Sequence, residues 1–141
     1  MEIVQLENEK EAQDRAVEEL NSVLKGNQGK NILFLSSGGS SLRLVEGIKK
    51  EHVNSFLTVG MSDERYSEDS SMNNFAQLME TKFAAMAAKQ GVKWIDTRAQ
   101  GRTLGEAARD FEADLRTWQE NSNGVIIMTQ GMGADGHTCG I

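Results

Sequence analysis

Residues 31–41 read NILFLSSGGSS, a short apolar run that ends in serine and glycine. The apolar run is too short for a helix, and small residues that favour turns follow it at once, so we predict a buried strand at 31–35. A short helix is predicted directly after the serine-glycine segment, at about 42–50. A strand that turns straight into a helix is the first half of a strand-helix-strand unit, which sets strands parallel.

The rest of the chain continues this alternation of helix and strand. Apolar spacing and short apolar runs predict helices at 9–25, 75–87 and 103–120, and strands at 55–59, 92–95 and 124–128. The helix at 103–120 is the best marked, because its apolar residues recur at steps of four and three, a stripe typical of core packing: Leu104, Ala108, Phe111, Leu115 and Trp118. The alternation predicts an α/β fold with helices on both faces of a mainly parallel sheet, and 141 residues fit one domain, 1–141.

Composition narrows the class of protein. With 38% hydrophobic and 26% charged residues the chain is typical of a globular domain, and its net charge of −6 disfavours binding to nucleic acid or to an anionic membrane. The single cysteine, Cys139, cannot form an intramolecular disulfide. The first residues lack the pattern of a secretory signal, and no apolar run is long enough to cross a bilayer, so we expect a cytoplasmic protein.

Three polar clusters follow predicted strands, at 36–41, 63–65 and 131–138. Ligands of open parallel sheets bind at the carboxyl ends of the strands, so these clusters are expected to lie together. The first cluster can hold phosphate, because glycine lets backbone N–H groups approach an anion and serine adds hydroxyl donors. It is equally typical of a plain strand-to-helix turn in which serine caps the helix.

The last cluster, GMGADGHT at 131–138, matches the glycine pattern of dinucleotide sites. That pattern requires a helix after it and an acidic residue about twenty positions later, whereas five residues remain here, so a dinucleotide site is rejected. Asp135 and His137 are two apart, and a carboxylate beside an imidazole can orient a general base. A solvated loop histidine is the plainer interpretation.

A metal site is a further alternative for these clusters. Asp135, His137 and Cys139 alternate as ligands could, and Asp63 or Glu64 could complete the set, but no metal-binding spacing is matched. The charged residues at 63–65 are also compatible with a solvated strand end in which the arginine pairs locally.

Together the three clusters resemble the 6-phosphogluconolactonases, which are grouped with the glucosamine-6-phosphate isomerases/deaminases. The resemblance rests on Ser37-Gly38-Gly39-Ser40, on Asp63-Glu64-Arg65, on Asn74 at the start of the next helix, and on the motif at 131–138. It implies a three-layer α/β/α sandwich, Rossmann-like, and a hydrolase of the pentose phosphate pathway in carbohydrate metabolism. The implied reaction converts 6-phosphogluconolactone, a small phosphorylated sugar lactone, to 6-phosphogluconate without metal or organic cofactor.

The resemblance also implies residue roles. His137 would be the general base that activates water, and Asp135 would orient it or share its proton. Arg65 and Asp63 would lie near the sugar hydroxyls. Four residues of the first cluster would hold the phosphate: Ser37, Gly38, Gly39 and Ser40.

The chain departs from the family pattern in three places. Ser41-Leu42 replaces Thr-Pro, no proline follows Asp63-Glu64-Arg65, and the residues after Thr138 differ. Family members are longer, with a C-terminal part that adds strands, helices and basic residues. We therefore expect an unpaired strand edge and self-association. Three functions stay open: lactone hydrolysis, isomerase/deaminase chemistry on a sugar phosphate, and a noncatalytic sugar-phosphate-binding or self-assembling chain.

Overall fold

The computed structural model describes residues 3–138. These form a four-stranded sheet with the strand order β3-β2-β1-β4, in which every pairing is parallel. In chain order the elements are α1 (Glu9–Gly26), β1 (Ile32–Ser36), α2 (Leu42–Glu46), β2 (Leu57–Met61), α3 (Asn74–Met79), α4 (Lys82–Ala88), β3 (Lys93–Trp94), α5 (Leu104–Asn121) and β4 (Val125–Met128), with short 3-10 turns at Gly39–Ser41 and Lys50–His52. The predicted α/β fold is confirmed, and the parallel order follows from the helix that separates each pair of strands.

The hydrophobic core lies on one face of the sheet. Ile32 pairs with Leu57 and Phe34 with Val59, and alternation along each strand points all four side chains to the same side. All four are buried, Phe34 and Val59 completely. Helices α1 to α4 cover this face and supply further core side chains: Leu20, Leu24, Val45, Phe75, Leu78, Phe83 and Ala87.

Local capping explains where the helices begin. The Asn8 side chain accepts a hydrogen bond from the Glu11 N–H at 3.0 Å, which starts α1 at Glu9 as predicted. The single helix predicted at 75–87 is two helices, because the Thr81 hydroxyl accepts from the Ala84 N–H at 3.2 Å and starts α4 separately from α3. The apolar spacing is the same on both sides of this break, which is why the pattern alone did not show it.

All four strands differ slightly from their predicted bounds, β2 and β3 the most. β2 begins two residues later than predicted, because the Asn54 side chain accepts from the Phe56 N–H at 2.9 Å and holds that segment in a turn. β3 is reduced to Lys93–Trp94. The Trp94 ring packs edge-on against Phe75 and Phe83, with ring centroids 6.2 and 6.3 Å apart.

The second face of the sheet is only partly covered. Trp118 of α5 lines a cavity of about 280 Å³ together with Thr58, which points away from the core face, so α5 lies on this second side. No residue of α5 is buried, and Ile126 and Met128 of β4 are 59% and 51% exposed. The predicted core packing of the 103–120 stripe is therefore wrong, although the helix forms.

Among residues 3–138, no helix combines the length and the apolar character that crossing a bilayer requires.

Candidate functional site

One pocket of about 220 Å³ lies at the carboxyl ends of the strands, beside β1, β2 and β4. Seven residues predicted for the site line it: Ser37, Gly38, Gly39, Ser40, Asp63, Arg65 and His137. The eighth, Asp135, reaches the pocket through its bond to His137. The expectation that the three clusters meet at one edge is thus what the fold shows, whereas the chemical roles of the residues stay predictions.

The serine-glycine segment is a loop with unused donors. Gly38 approaches Asn74 so closely that a Cβ at residue 38 would lie less than 3.0 Å from the Asn74 amide group. Gly39 adopts a φ of 62°, which favours glycine, and this turns the chain into the 3-10 turn. Within residues 3–138, no hydrogen bond uses the N–H groups of Gly39 or Ser40. Two free amides therefore lie in the wall of the pocket.

Hydroxyl groups fix this loop against the sheet. Ser37 and Ser41 are both buried, and the Ser37 hydroxyl donates to the Ser41 hydroxyl at 2.7 Å. The Ser37 N–H donates to the Thr129 hydroxyl at 3.3 Å, which joins the end of β1 to the residue after β4. Ser37 is thus a structural residue as well as a lining residue.

Asp63 and Arg65 are two apart on the segment that leaves β2, and both line the pocket. Arg65 is exposed, and in the described part of the chain its guanidinium forms no ion pair. The local ion pair that the sequence allowed for this arginine does not form within residues 3–138. Arg65 therefore brings an unpaired guanidinium to a pocket that the Asp63 side chain also lines.

The Glu64 side chain lies between Asp63 and Arg65 in the sequence but points away from the pocket, and it holds this segment in place. Its Oε1 accepts from the N–H groups of Asn74 and Arg65, both at 2.7 Å. Its Oε2 accepts from the Phe75 N–H at 3.0 Å and from the Thr97 hydroxyl at 2.5 Å. One carboxylate thus joins the end of β2, the start of α3 and the loop after β3.

Asp135 and His137 form a close pair. The imidazole Nδ1 lies 2.5 Å from the Asp135 Oδ1, and the His137 N–H donates to the same oxygen at 3.4 Å. The hydrogen bond from the His137 side chain, followed by that from its backbone N–H, lowers the pKa of Asp135 below its ordinary 3.8. Because an ionised carboxylate only accepts hydrogen bonds, Nδ1 carries the proton in this contact. In the neutral imidazole, Nε2 then presents its lone pair.

Glycines shape the loop that carries this pair. The Gly133 N–H donates to the His137 carbonyl and the Gly136 N–H to the Gly133 carbonyl, each at 2.9 Å. Gly136 has a φ of 88°, and a Cβ on Gly133 would lie less than 3.0 Å from the imidazole. The glycines of this loop therefore allow a tight turn and a close contact with the imidazole ring.

The metal alternative has no support in the described residues, which contain no group of three or more His, Cys, Asp or Glu side chains suited to a metal ion. Cys139, one of the ligands considered, lies outside the described residues. Within residues 3–138, Asp135 is instead occupied by His137.

Sequence reasoning did not assign several residues of the pocket. Gln77 and Met132 line it, and Asn74 was noted only as the start of a helix. Gln77 lies one turn along α3 from Asn74, and such helical spacing from a residue at the pocket is the signal that could have found it. Nothing in the local sequence marks Met132.

Three comparisons place the chain among known proteins. No curated protein matches it. The crystal structure of a 6-phosphogluconolactonase from Shewanella baltica OS155 is similar, with a TM-score of 0.54 and 21% sequence identity over 92% of this chain and 54% of that one. This likeness shows the fold, and the chain spans about half the length of that lactonase. The sequence profile described as glucosamine-6-phosphate isomerases/6-phosphogluconolactonase matches residues 6–141, and this chain therefore belongs to the glucosamine-6-phosphate isomerase/6-phosphogluconolactonase family.

Proposed function

We propose that this chain hydrolyses 6-phosphogluconolactone to 6-phosphogluconate, a step of the pentose phosphate pathway. The observation that carries the proposal is a pocket in which the serine-glycine loop and Arg65 lie beside the Asp135–His137 pair. One part of the pocket suits a phosphate, and the other suits a base that activates water.

Phosphate binding in one part of the pocket depends on hydrogen-bond donors and on positive charge. The free amides of Gly39 and Ser40 and the Ser40 hydroxyl present N–H and O–H groups to an anion, and Arg65 adds the positive charge. In a chain of net charge −6, the Arg65 guanidinium is a positively charged group that this pocket offers to a phosphorylated ligand. Binding the phosphate there positions the lactone carbonyl near the imidazole, so that remote binding energy orients the reacting groups.

Hydrolysis in the other part of the pocket depends on Nε2 of His137, which is not bonded to Asp135. Nε2 removes a proton from water, and the water oxygen forms a bond to the lactone carbonyl carbon. The bond from that carbon to the ring oxygen then breaks, and the ring oxygen takes the proton back from the imidazolium. Asp135 holds the ring in the tautomer that this requires and stabilises its charged form. No nucleophilic side chain is needed, because the lactone is an activated ester.

The test is hydrolysis of 6-phosphogluconolactone by the chain and by two variants. His137→Asn is expected to lower kcat about 10²–10⁴-fold while leaving affinity for 6-phosphogluconate nearly unchanged. Arg65→Gln is expected to weaken that affinity, and Arg43→Gln is its matched control, because Arg43 lies outside the pocket and pairs with Glu9 at 3.6 Å. Full activity in the His137 variant would contradict the catalytic role.

Two further assays of the same purified chain distinguish the alternative functions. Release of ammonia from glucosamine 6-phosphate would favour isomerase/deaminase chemistry, in which Asp63 is the candidate base in the pocket. Heat from 6-phosphogluconate binding with no hydrolysis would favour a noncatalytic sugar-phosphate-binding chain.

A further inference from the structure

Two amide side chains of α3 line the pocket one helical turn apart. Asn74 is almost fully buried, with 4% of its surface exposed, whereas Gln77 is half-buried. Both line the same pocket as the serine-glycine loop and Arg65. Side chains three positions apart on a helix are neighbours, with Cβ atoms about 5–6 Å apart. One ligand can therefore contact both amides.

Each of these amides is held through its nitrogen. The Asn74 Nδ2 donates to the Asp63 carbonyl at 3.2 Å, and the Gln77 Nε2 donates to the Ser71 carbonyl at 2.7 Å. A carbonyl oxygen only accepts hydrogen bonds, so these contacts decide which amide atom is nitrogen and which is oxygen. The backbone beside the two side chains therefore defines how both amides are oriented.

The two amide oxygens remain available as acceptors. Within residues 3–138, no hydrogen bond ends on the Asn74 Oδ1 or on the Gln77 Oε1. The Ser122 hydroxyl is the one unpaired side-chain group of these residues that is fully enclosed, so the Asn74 oxygen keeps some accessible surface. Of the Asn74 atoms, Oδ1 is the closest to where a Cβ on Gly38 would lie, and a side chain there would cover it.

The pocket is thus divided into donors and acceptors. The donors are the free amides of Gly39 and Ser40 and the guanidinium of Arg65. The acceptors are the two amide oxygens of α3 and the carboxylate of Asp63, which also lines the pocket. Groups that only accept hydrogen bonds repel phosphate oxygens and bind O–H groups. The acceptor part therefore suits the hydroxylated portion of a ligand.

We propose that Asn74 and Gln77 determine specificity in this pocket by accepting hydrogen bonds from hydroxyl groups of a phosphorylated sugar. The inference rests on the proposed function, because it takes the serine-glycine loop and Arg65 as the phosphate site. The hydroxyls concerned are those nearest the phosphate, since the Asn74 oxygen lies against Gly38 of that loop. A ligand that lacks them leaves both oxygens unpaired when it binds, and its affinity is lower for this reason.

Calorimetric titration with two probes tests the proposal. One probe is 6-phosphogluconate, and the other is 6-phosphohexanoate, which has the same chain length, phosphate and carboxylate but no hydroxyl group. The wild-type chain is expected to bind 6-phosphogluconate about 10-fold more tightly, since each hydrogen bond to a hydroxyl contributes a factor of about 3–10. Binding is measured without turnover, so the result does not depend on hydrolysis.

Gln77→Met is the deciding variant, because it keeps the length of the side chain and removes the amide. It is expected to weaken binding of 6-phosphogluconate about 3–10-fold and to leave binding of 6-phosphohexanoate nearly unchanged. Gln13→Met is the matched control: Gln13 is also a half-buried glutamine on a helix, but its Nε2 donates to Glu9 at 2.9 Å, away from the pocket. This control should bind both probes like the wild type.

Asn74→Ala should reduce the discrimination between the probes in the same way, and circular dichroism checks that this variant stays folded. Discrimination by the wild type without any lactone hydrolysis would contradict the proposed function and support this inference. Normal hydrolysis with equal affinities for the two probes would overturn this inference alone. It is also overturned by a wild-type chain that binds neither probe, or by Gln77→Met or folded Asn74→Ala chains that discriminate as well as the wild type.

Discussion

At the scale of single residues, the position of His137 depends on the absence of a side chain at Gly133. The imidazole occupies the space of a side chain at residue 133, and the Gly133 N–H also binds the His137 carbonyl. The sequence showed that Asp135 and His137 are close, because they are two apart. It did not show that a glycine four positions earlier lies against the ring, since that contact exists only in the folded turn.

Gly133→Ala is expected to displace the imidazole with little loss of stability, because Gly133 does not have a positive φ. A misplacement of about 1 Å can lower kcat about 10²-fold, so we expect a loss of that order with KM nearly unchanged. The measurement is steady-state lactone hydrolysis.

The matched control for this variant is Gly105→Ala in α5, where the new Cβ would make ordinary contact with Arg109 at 3.6 Å. It should leave kcat unchanged. An unchanged kcat in Gly133→Ala would show that the ring does not need its observed position.

At the scale of elements, Glu64 joins three segments that the sequence shows only as separate motifs. The cluster 63–65 was predicted from its position after a strand, but the partners of the Glu64 carboxylate lie 10, 11 and 33 residues away. Local patterns cannot reveal such distant partners. For the same reason the sequence predicted the presence of α5 and β4 correctly but not their exposure, which depends on what packs against them.

Glu64→Gln is expected to lower the free energy of unfolding by about 1.5–3 kcal/mol, because the amide group cannot accept on both sides and a buried donor loses a charged partner. Thr97→Val removes one of the four donors and should cost less. Urea unfolding at neutral pH measures both variants.

Thr97→Ser retains the hydroxyl and is the control for the valine variant. If the serine and valine variants lose equal stability, the hydroxyl donor is not what joins this loop to Glu64. If Glu64→Gln is as stable as the wild type, the carboxylate does not hold the three segments together.

At the scale of the whole molecule, an ion pair in the loop after β3 makes the stability of the fold depend on pH. Partial burial acts to raise the pKa of Asp96, but hydrogen bonds and charge from Arg98 outweigh this, and the pKa of Asp96 lies below its ordinary 3.8. Arg98 binds Asp96 through Nη2 at 2.5 Å and also lies over the Phe75 ring, 5.7 Å from its centroid. The pair therefore fixes the loop onto the core.

A carboxyl whose pKa is lower in the folded state stabilises the fold above its unfolded pKa, and this contribution is lost as pH falls through the folded value. We expect Asp96→Asn to lower the free energy of unfolding by about 0.5–1 kcal/mol at pH 7. The difference from wild type should shrink once the pH falls below 3.8. Urea unfolding at several pH values measures it, and a difference that stays constant to strongly acidic pH would contradict this account.

The hydrogen bond between Ser37 and Thr129 spans 92 positions of the chain. Contacts between such distant positions slow folding, because a large loop must close before they form. During synthesis on the ribosome, β1 and β2 are available long before β4. The serine-glycine loop therefore reaches its final setting only after β4 has been synthesised, and until then a nascent chain exposes the side of β1 where β4 will dock.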